Sequence, residues 1–192
     1  MAHNDLELKG FDELERTINP RSFEGRMMRN IKKATLLNAQ VARKYITQSI
    51  TSGNYTDNSP VTAAIKGSNR PLVDKGMLLQ SITGEAESWD TAIVGVLRSR
   101  MTTDANGRPK DVMSLAKILH EGATIKVTPK MRKYLAMMSR LHPGKYFPLK
   151  QSTDTIVIPP RRFLESALEE QHIQKYQDNW QDAVTKTLNG RR

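Results

Sequence analysis

Four histidines are the residues of this sequence best suited to proton transfer or metal binding, because imidazole titrates near neutral pH and binds metals through nitrogen. They are His3, His120, His142 and His172. His120 opens the phrase HEGAT, which lacks the second histidine that a zinc-protease helix places three residues after its glutamate. No metal pair is expected there, and His120 is interpreted as a helix-end residue that bonds a carbonyl of the last turn.

Other catalytic patterns are also incomplete. The eleven glycines are scattered, and GSNRPLVDK lacks the Gly-Lys-Ser/Thr ending of a phosphate-binding loop. The fragment from Glu7 to Lys9 has the Glu-x-Lys form used by metal-dependent nucleases, but no upstream strand supplies an aspartate. No serine stands in a Gly-x-Ser-x-Gly turn, and the absence of cysteine excludes disulfides and thiol catalysis. We therefore expect no enzymatic activity, no cofactor and no metal.

The net charge of +10 is concentrated in two parts of the sequence. Residues 21–53 carry +6 and residues 98–150 carry +9, whereas residues 1–20 carry −3. Such basic blocks favour nucleic acid or an acidic protein as partner, although a solvated charged face explains them equally well. Charge alone supports only non-specific DNA binding, with dissociation constants of roughly 10⁻⁴ to 10⁻⁶ M. Non-specific DNA binding through this basic surface is the alternative function.

The hydropathy pattern gives an expectation about location. No apolar run approaches the length of about 20 residues that a membrane-spanning helix needs. The first residues, MAHNDLELKG, carry acids where a signal peptide carries a basic region. We expect a protein that is made in the cytoplasm, is not exported and has no membrane partner.

The clearest element is a long helix predicted over residues 20–52. Asn19 suits its N-cap, Pro20 its first position and Gly53 its end. At 1.5 Å per residue the helix spans about 50 Å, so part of it is expected to protrude or to contact another subunit. The recurring apolar residues are Phe23, Met27, Ile31, Ala34, Leu37, Val41, Tyr45 and Ile50, and the other face carries Arg26, Arg29, Lys32, Lys33, Arg43 and Lys44.

The middle of the chain is predicted to be a loop, a short helix and a strand pair. Residues 54–70 have the composition of a loop, and Asp74 is the expected N-cap of a short helix. Residues 81–87 and 91–99 are predicted to pair as antiparallel strands, with Gly95 marking a bulge or close packing. Residues 100–110 are predicted to form a polar, mobile link.

The last third is predicted to alternate helices with strands. A helix runs from its cap at Asp111 to Gly122, a strand covers residues 124–127, and Thr128 with Pro129 opens another helix. A further strand ends at the two prolines before Arg161, where the last helix is expected to begin. Its expected apolar stripe is Phe163, Leu164, Ala167, Leu168, Tyr176, Trp180, Val184 and Leu188.

These elements predict one α+β domain over residues 1–192. It comprises a long N-terminal helix, a small, mostly antiparallel sheet of about four strands, and a C-terminal helix packed against the sheet. Residues 1–19 are an N-terminal extension, and residues 128–150 are a helical insert.

Three phrases resemble, in order and spacing, the tail-completion or virion-morphogenesis proteins of long-tailed bacteriophages, which include tail terminators and head-tail connectors. They are SNRPLVDKGMLLQSI, KILHEGATIKVTPKMRKYL and IVIPPRRFLESAL, and the resemblance covers roughly residues 25–170. The matching positions are Pro71, Leu72, Asp74, Gly76, Leu78, Ser81 and Ile82, then His120, Glu121 and Gly122, then Pro160, Arg161 or Arg162, Phe163 and Leu164.

The resemblance implies a structural role in the virion. Such proteins form a homo-oligomeric ring, typically of six copies, that ends the tail tube and joins it to the neck below the capsid portal. The partners would be tail-tube and neck proteins, with genomic DNA passing through the lumen, and no cofactor or substrate is implied. The insert at residues 128–150 departs from the family pattern and is a candidate second interface.

Head-to-tail closure of a ring requires two different surfaces on each subunit. The long helix and the link at residues 100–110 are the candidates. In the first phrase, Leu72, Leu78 and Ile82 are expected to be buried and Arg70 to remain near the surface. The predicted interface residues are Arg26, Arg29, Lys32, Lys33, Arg70, Arg98, Arg100, Arg108, Lys130, Arg132, Lys133, Arg161 and Arg162.

Overall fold

The computed structural model describes residues 19–59, 62–63, 66–73, 76–96, 101–103, 109–144 and 146–190. Within them the fold is mixed helix and strand, which confirms the predicted α+β class. The helices are α1 (Pro20–Ser52), α2 (Met77–Ser81), α3 (Val112–Glu121), α4 (Pro129–Leu141) and α5 (Glu170–Leu188), with a 3₁₀ helix at Glu165–Leu168. The strands are β1 (Ile82–Ala86), β2 (Ala92–Val96), β3 (Met101–Thr103), β4 (Pro109–Asp111), β5 (Ala123–Lys126) and β6 (Thr155–Ile158).

The described strands form three separate pairs, β1 with β2, β3 with β4 and β5 with β6, where one sheet of about four strands was predicted. The β3–β4 and β5–β6 pairs are antiparallel, and the connection of β1 to β2 is too short for a parallel crossover. Helix α2 runs directly into β1, and β4 runs directly into α3. The β1–β2 and β3–β4 pairs are therefore each continuous in the chain with a helix.

The link predicted at residues 100–110 contains secondary structure at its described ends. Strands β3 and β4 pair there, with Met101 opposite Asp111 and Thr103 opposite Pro109. Arg98, Arg100 and Arg108, three of the predicted interface residues, lie outside the described residues.

Helix α1 has the bounds that the sequence predicted. The Asn19 carbonyl accepts a hydrogen bond from the Phe23 amide at 2.8 Å, and the Asn19 side chain accepts one from the Ser22 amide at 3.4 Å. The helix ends before Gly53, whose φ of +76° is left-handed backbone that glycine adopts without a steric penalty. No helix in the described part of the chain is long and apolar enough to cross a bilayer.

The described residues divide into two compact units. The first contains residues 19–42, 84–93 and 170–190, and the second contains residues 43–83 and 94–169 with the gaps given above. Helix α1 and strands β1 and β2 contribute residues to both units. The single domain over residues 1–192 therefore stays a prediction.

The first unit is built on an antiparallel contact between α1 and α5. Asn30 Nδ2 donates to Thr187 Oγ1 at 3.0 Å, and Asn179 Nδ2 donates to Asn38 Oδ1 at 2.7 Å. The second bond lies eight residues further along α1 but eight residues earlier along α5, so the two helices run antiparallel. The C-terminal helix was predicted to pack on the sheet, and hydrogen bonds join it to α1.

The turn between β1 and β2 also lies against α1 in the first unit. Thr35 Oγ1 donates to the Trp89 carbonyl at 3.1 Å, and a Cβ at Gly84 would lie 2.7 Å from the Ala39 carbonyl oxygen. Gly84 therefore permits the close approach that was predicted for Gly95. A Cβ at Gly95 would have no atom within 4 Å, so the expectation of close packing there is wrong.

The second unit has a more apolar interior. Its fully buried large side chains are Ile46, Ile50, Ile82, Val112 and Phe163. They come from α1, β1, α3 and the segment before the 3₁₀ helix, and α2 packs against α3. This unit therefore holds most of the large apolar side chains that the fold removes from water.

The first phrase folds differently from its predicted form. Helix α2 begins at Met77 with Gly76 at its N-cap, and Asp74, the predicted cap, lies outside the described residues. Leu72 is half-buried, not buried as predicted. Its φ is +62°, within a tight turn that the Val73 amide closes by donating to the Pro71 carbonyl at 2.7 Å. Pro71 is the buried residue of this turn, whereas Leu78 and Ile82 are buried and Arg70 is exposed as predicted.

The last helix begins at Glu170, nine residues later than the predicted start at Arg161. Arg161 and Phe163 are buried in irregular backbone, and the Arg161 amide donates to the Leu119 carbonyl at 2.9 Å. Glu169, in an extended conformation, separates the 3₁₀ helix from α5. The prediction of one continuous helix from Arg161 is wrong, because packing against α3 holds residues 161–169 out of the α-helical conformation.

The segment predicted as a loop at residues 54–70 contains helical backbone at residues 62, 63 and 66. Ser59 explains its start, since the Ser59 carbonyl accepts from the Ala63 amide at 2.8 Å and the Ser59 hydroxyl accepts from the Thr62 amide at 3.3 Å.

Candidate interaction surfaces

The second and third phrases meet in the second unit. The His120 and Phe163 rings contact each other in a T-shaped arrangement, with centroids 5.2 Å apart and planes at 86°. Gly122 has φ +79°, and a Cβ there would lie 2.8 Å from the Ile158 carbonyl oxygen and 2.9 Å from the Pro160 nitrogen. Only glycine therefore allows the HEG phrase to approach the backbone of the PPRRF phrase so closely.

The first phrase joins the same region through α2. Leu78 and Ser81 are buried in α2, Ile82 is buried at the start of β1, and α2 packs against α3. The Ser81 hydroxyl donates to the Leu78 carbonyl at 2.7 Å, which satisfies its hydroxyl group in the interior. We define the phrase junction as residues 76–82, 119–122 and 158–163, where all three phrases come together.

Arg161, predicted as an interface residue, is only 6% exposed within the junction. Its Nε and Nη2 both donate to the Thr56 carbonyl, at 3.2 and 3.0 Å. Burial lowers the pKa of this guanidinium below its ordinary range because the charged form loses hydration. Arg161 thus holds the segment around Thr56 in place and is not free to reach a partner.

His120 does not make the carbonyl bond that the sequence predicted. Its Nδ1 is buried and has no hydrogen-bond partner among the described residues. The contact with Phe163 explains its orientation, since an imidazole can pack edge-on against an aromatic ring. Glu121 beside it is exposed.

Arg162 and Leu164 adjoin the buried Phe163 in sequence. Arg162 is exposed and pairs with Glu165 at 3.4 Å, a surface ion pair of small energetic value. Leu164 is half-buried and precedes the 3₁₀ helix.

The predicted basic face of α1 is exposed in part. Arg29, Lys32 and Lys33 are exposed, whereas Arg26 is half-buried and its Nη1 donates to Ser22 Oγ at 3.4 Å. The three exposed cations follow one another within two turns, so they present concentrated positive charge to solvent.

The predicted cations of α4 divide into two groups. Lys130 and Lys133 are exposed. Arg132 instead donates to three backbone carbonyls, those of Lys150 at 2.6 Å, Gln151 at 3.1 Å and Thr153 at 2.6 Å. Arg132 therefore fastens α4 to the segment that follows it.

Exposed apolar side chains are the feature that charge-based reasoning missed. Helix α4 has no buried residue at all, and Tyr134, Met137 and Leu141 are 48%, 51% and 63% exposed. We call these three residues the α4 stripe. Their spacing of i, i+3 and i+7, on the side of α4 opposite Arg132, was the signal in the sequence. Other exposed large apolar residues are Met28, Leu36, Leu37, Trp89, Ile93, Met113, Ile125, Phe147, Val157, Leu168, Ile173, Trp180 and Leu188.

The described residues of the second unit line a cleft with a volume of about 640 Å³. Its wall includes Ser49, Tyr55 and Glu169. Burial raises the pKa of Tyr55, while the hydrogen bond between its hydroxyl and the Ser49 hydroxyl acts in the opposite direction. No group of three or more His, Asp or Glu side chains in the described ranges is placed to hold a metal ion.

The chain has no detected similarity to characterised proteins. No family model, no curated protein and no solved structure matches it.

Proposed function

We propose that this protein is a structural virion protein of a long-tailed bacteriophage, located at the top of the tail. In this role it forms a ring, of about six copies as the resemblance implies, that terminates the tail tube and joins it to the neck and portal. The function is assembly without catalysis. It requires tail-tube and neck proteins as partners, and no cofactor.

The observation that carries the proposal is the phrase junction. The three phrases are separated by tens of residues, yet His120 contacts Phe163 and α2 packs against α3. A family fold built on these three phrases requires them to meet in one interior. Their convergence supports interpreting the resemblance as a common fold.

Exposed apolar surface gives independent support. The α4 stripe stays 48–63% exposed in the described chain, and Leu168, Val157 and Leu141 are each more than 60% exposed. Contiguous exposed apolar groups are a cost for a protein that stays monomeric and are typical of surfaces that contact other subunits.

The test is disruption of the gene in the phage or prophage that encodes it, with electron microscopy of the lysate. Filled heads and tails that do not join, or tails of irregular length, are the expected result. Complementation with the intact chain should restore joined particles and place it, by mass spectrometry, in purified virions. Normal virions from the disrupted gene would contradict the proposal.

A second function, non-specific DNA binding, is favoured by the exposed Arg29, Lys32 and Lys33 of α1. Neutralising all three to Gln should weaken binding to duplex DNA and reduce the slope of log K against log salt by about 3, since each phosphate contact contributes about 0.9. Lys175→Gln, an exposed cation on α5, is the control and should change the slope by at most about 1. Binding that is absent or independent of salt would remove this function.

A further inference from the structure

Helix α4 is amphipathic, and Met131, Leu135 and Met138 are half-buried, but the α4 stripe stays 48–63% exposed in the described chain. It is 13 residues long and has no buried residue. An isolated helix of this length is marginal in water, and packing of its apolar face normally stabilises it. Covering the exposed part of the α4 stripe would therefore stabilise the helix further.

The side of α4 opposite the stripe is already occupied. Arg132 is bonded to the carbonyls of residues 150, 151 and 153 and lies 3.6 Å from Asp154. Thr128 caps the first turn by accepting from the Met131 amide at 3.2 Å. These bonds fix the helix with the α4 stripe facing outward, which makes the stripe a preformed surface.

The charge around the stripe is of one sign. Residues 122–153 contain seven Lys and Arg and no Asp or Glu. Lys130 lies one turn before Tyr134 on the same side, and Lys133 and Arg140 border Met137. All three cations are exposed. An occupant of this surface must therefore combine apolar anchors with negative charge.

The N-terminal sequence has this combination. Phe11, Leu14 and Ile18 repeat the i, i+3 and i+7 spacing of the α4 stripe, and Asp12, Glu13 and Glu15 stand between them. Residues 5–18 carry a net charge of −3. Eighteen residues extend up to about 60 Å, which is enough to reach an adjacent subunit.

We propose that residues 5–18 of a neighbouring copy cover the α4 stripe, with Phe11, Leu14 and Ile18 on Tyr134, Met137 and Leu141. The inference rests on the proposed ring. A head-to-tail ring needs two different surfaces that fit each other on every subunit, and the acidic segment and the basic stripe are such a pair. Each copy then gives its N-terminal segment to one neighbour and receives one from the other.

The absence of cysteine from the chain allows a direct test by disulfide cross-linking. Full-length Leu14→Cys and Met137→Cys proteins are mixed, oxidised and resolved without reductant. We expect a covalent one-to-one dimer that forms faster than either homodimer. Met113→Cys, 46% exposed on α3, replaces Met137→Cys as the matched control and should cross-link poorly to Leu14→Cys. Equal cross-linking to both positions, or to neither, would overturn the proposal.

A chain that carries both Leu14→Cys and Met137→Cys separates contact between copies from contact within one chain. Interchain disulfides, giving covalent oligomers, are expected. A chain that becomes a disulfide-closed monomer at every concentration would show that the segment covers its own helix, which contradicts the proposal.

Charge reversal provides a second test, on the same cross-linking assay. Lys130→Glu, Lys133→Glu and Arg140→Glu together, or Asp12→Lys, Glu13→Lys and Glu15→Lys together, should each reduce the mixed dimer about tenfold or more, because like charges across an interface are strongly unfavourable. Combining the two reversed sets should restore it. Contact between copies would be contradicted if the combined variant did not restore the mixed dimer. It would also be contradicted if the reversed sets weakened binding to DNA or to anionic vesicles but left the mixed dimer unchanged.

The two proposals fail in different ways. If rings form and the protein is found in virions, yet Leu14 and Met137 do not cross-link, only the contact is wrong. If the cross-link forms but the protein is absent from virions, the contact stands and the proposed function is wrong.

Discussion

The interiors of the two units are built from different kinds of side chain. In the first unit, α1 and α5 meet through small and polar residues, among them Asn30, Ala34, Ala183 and Thr187, all buried. In the second unit the interior is formed by large apolar groups such as Ile46, Ile82, Val112 and Phe163.

The difference has a consequence for the surface. Small residues let two helix backbones approach closely, and cross-helix hydrogen bonds satisfy the polar groups that are removed from water. The large apolar residues of the same helices, such as Leu37 and Trp180, are then left 46% and 43% exposed. Both units therefore expose large apolar side chains, but among the described residues the second unit also buries several of them in its interior.

The largest predicted effect is removal of the aromatic ring from the phrase junction. Phe163→Ala should lower the free energy of unfolding by about 3–5 kcal/mol, because Phe163 is fully buried and its loss leaves a cavity. Urea denaturation measures this change. Phe147→Ala, at a residue 47% exposed, is the control and should cost about 1 kcal/mol or less. Equal effects would mean that the junction is not an apolar interior.

A second prediction tests the close approach at Gly122. Gly122→Ala should lower the free energy of unfolding by about 3 kcal/mol, because φ is +79° and the new Cβ would meet the backbone of Ile158 and Pro160. Thermal and urea unfolding measure it. Gly95→Ala, with no atom within 4 Å of the new Cβ, should change stability by about 0.5 kcal/mol at most. A neutral Gly122→Ala would contradict the junction geometry.

Loss of the hydrogen bond between Asn30 and Thr187 in the first unit should lower the free energy of unfolding by less than the two changes above. Thr187→Val keeps the side-chain shape but leaves the Asn30 amide without its acceptor on Thr187, which should cost about 1–2 kcal/mol. Thr51→Val is the matched control, since the Thr51 hydroxyl also bonds the carbonyl four residues earlier, at 3.0 Å, but is exposed. If both variants unfold at the same urea concentration, the cross-helix bond does not stabilise the first unit.

The smallest predicted effect is a pH dependence in the second unit. Burial raises the pKa of Tyr55 in the folded chain above the ordinary value of about 10. At a pH between the unfolded and the folded pKa, the folded chain therefore binds more protons than the unfolded chain. The stabilisation is complete below a pH of about 10 and is lost as pH rises through the folded pKa.

Tyr55→Phe should therefore remove part of the fall in melting temperature on going from about pH 8 to about pH 11. Tyr134→Phe, at a residue 48% exposed on α4, is the control and should leave that fall unchanged. A Tyr55→Phe protein that loses stability with pH as steeply as the unaltered chain would contradict the effect of burial.

The fold class and the helices with local signals could be predicted from the sequence. Helix α1 has its predicted bounds because Asn19, Pro20 and Gly53 act on their own backbone. Helix α3 begins after its predicted cap, since Asp111 Oδ1 accepts from the Met113 amide at 3.1 Å. Helix α4 begins after Thr128 for the same reason.

Features that depend on distant residues could not be predicted. Residues 161–169 have helical periodicity, but the bond from Arg161 to Leu119 and the burial of Phe163 hold them in another conformation. The candidate interface was also only partly predictable. No local pattern indicated that Arg132 and Arg161 would bond carbonyls while Lys130 and Lys133 stayed exposed, since that depends on the segment packed beside each one.

Signals from neighbouring residues were sufficient to predict where most of the described helices begin and end and where charge is concentrated, because caps, helix breakers and charge are local properties. The tertiary structure alone decided which cations are free, which glycine permits a close approach and which apolar stripe remains uncovered. These depend on contacts between segments far apart in the chain, and the free energy of such contacts is fixed by packing and not by spacing.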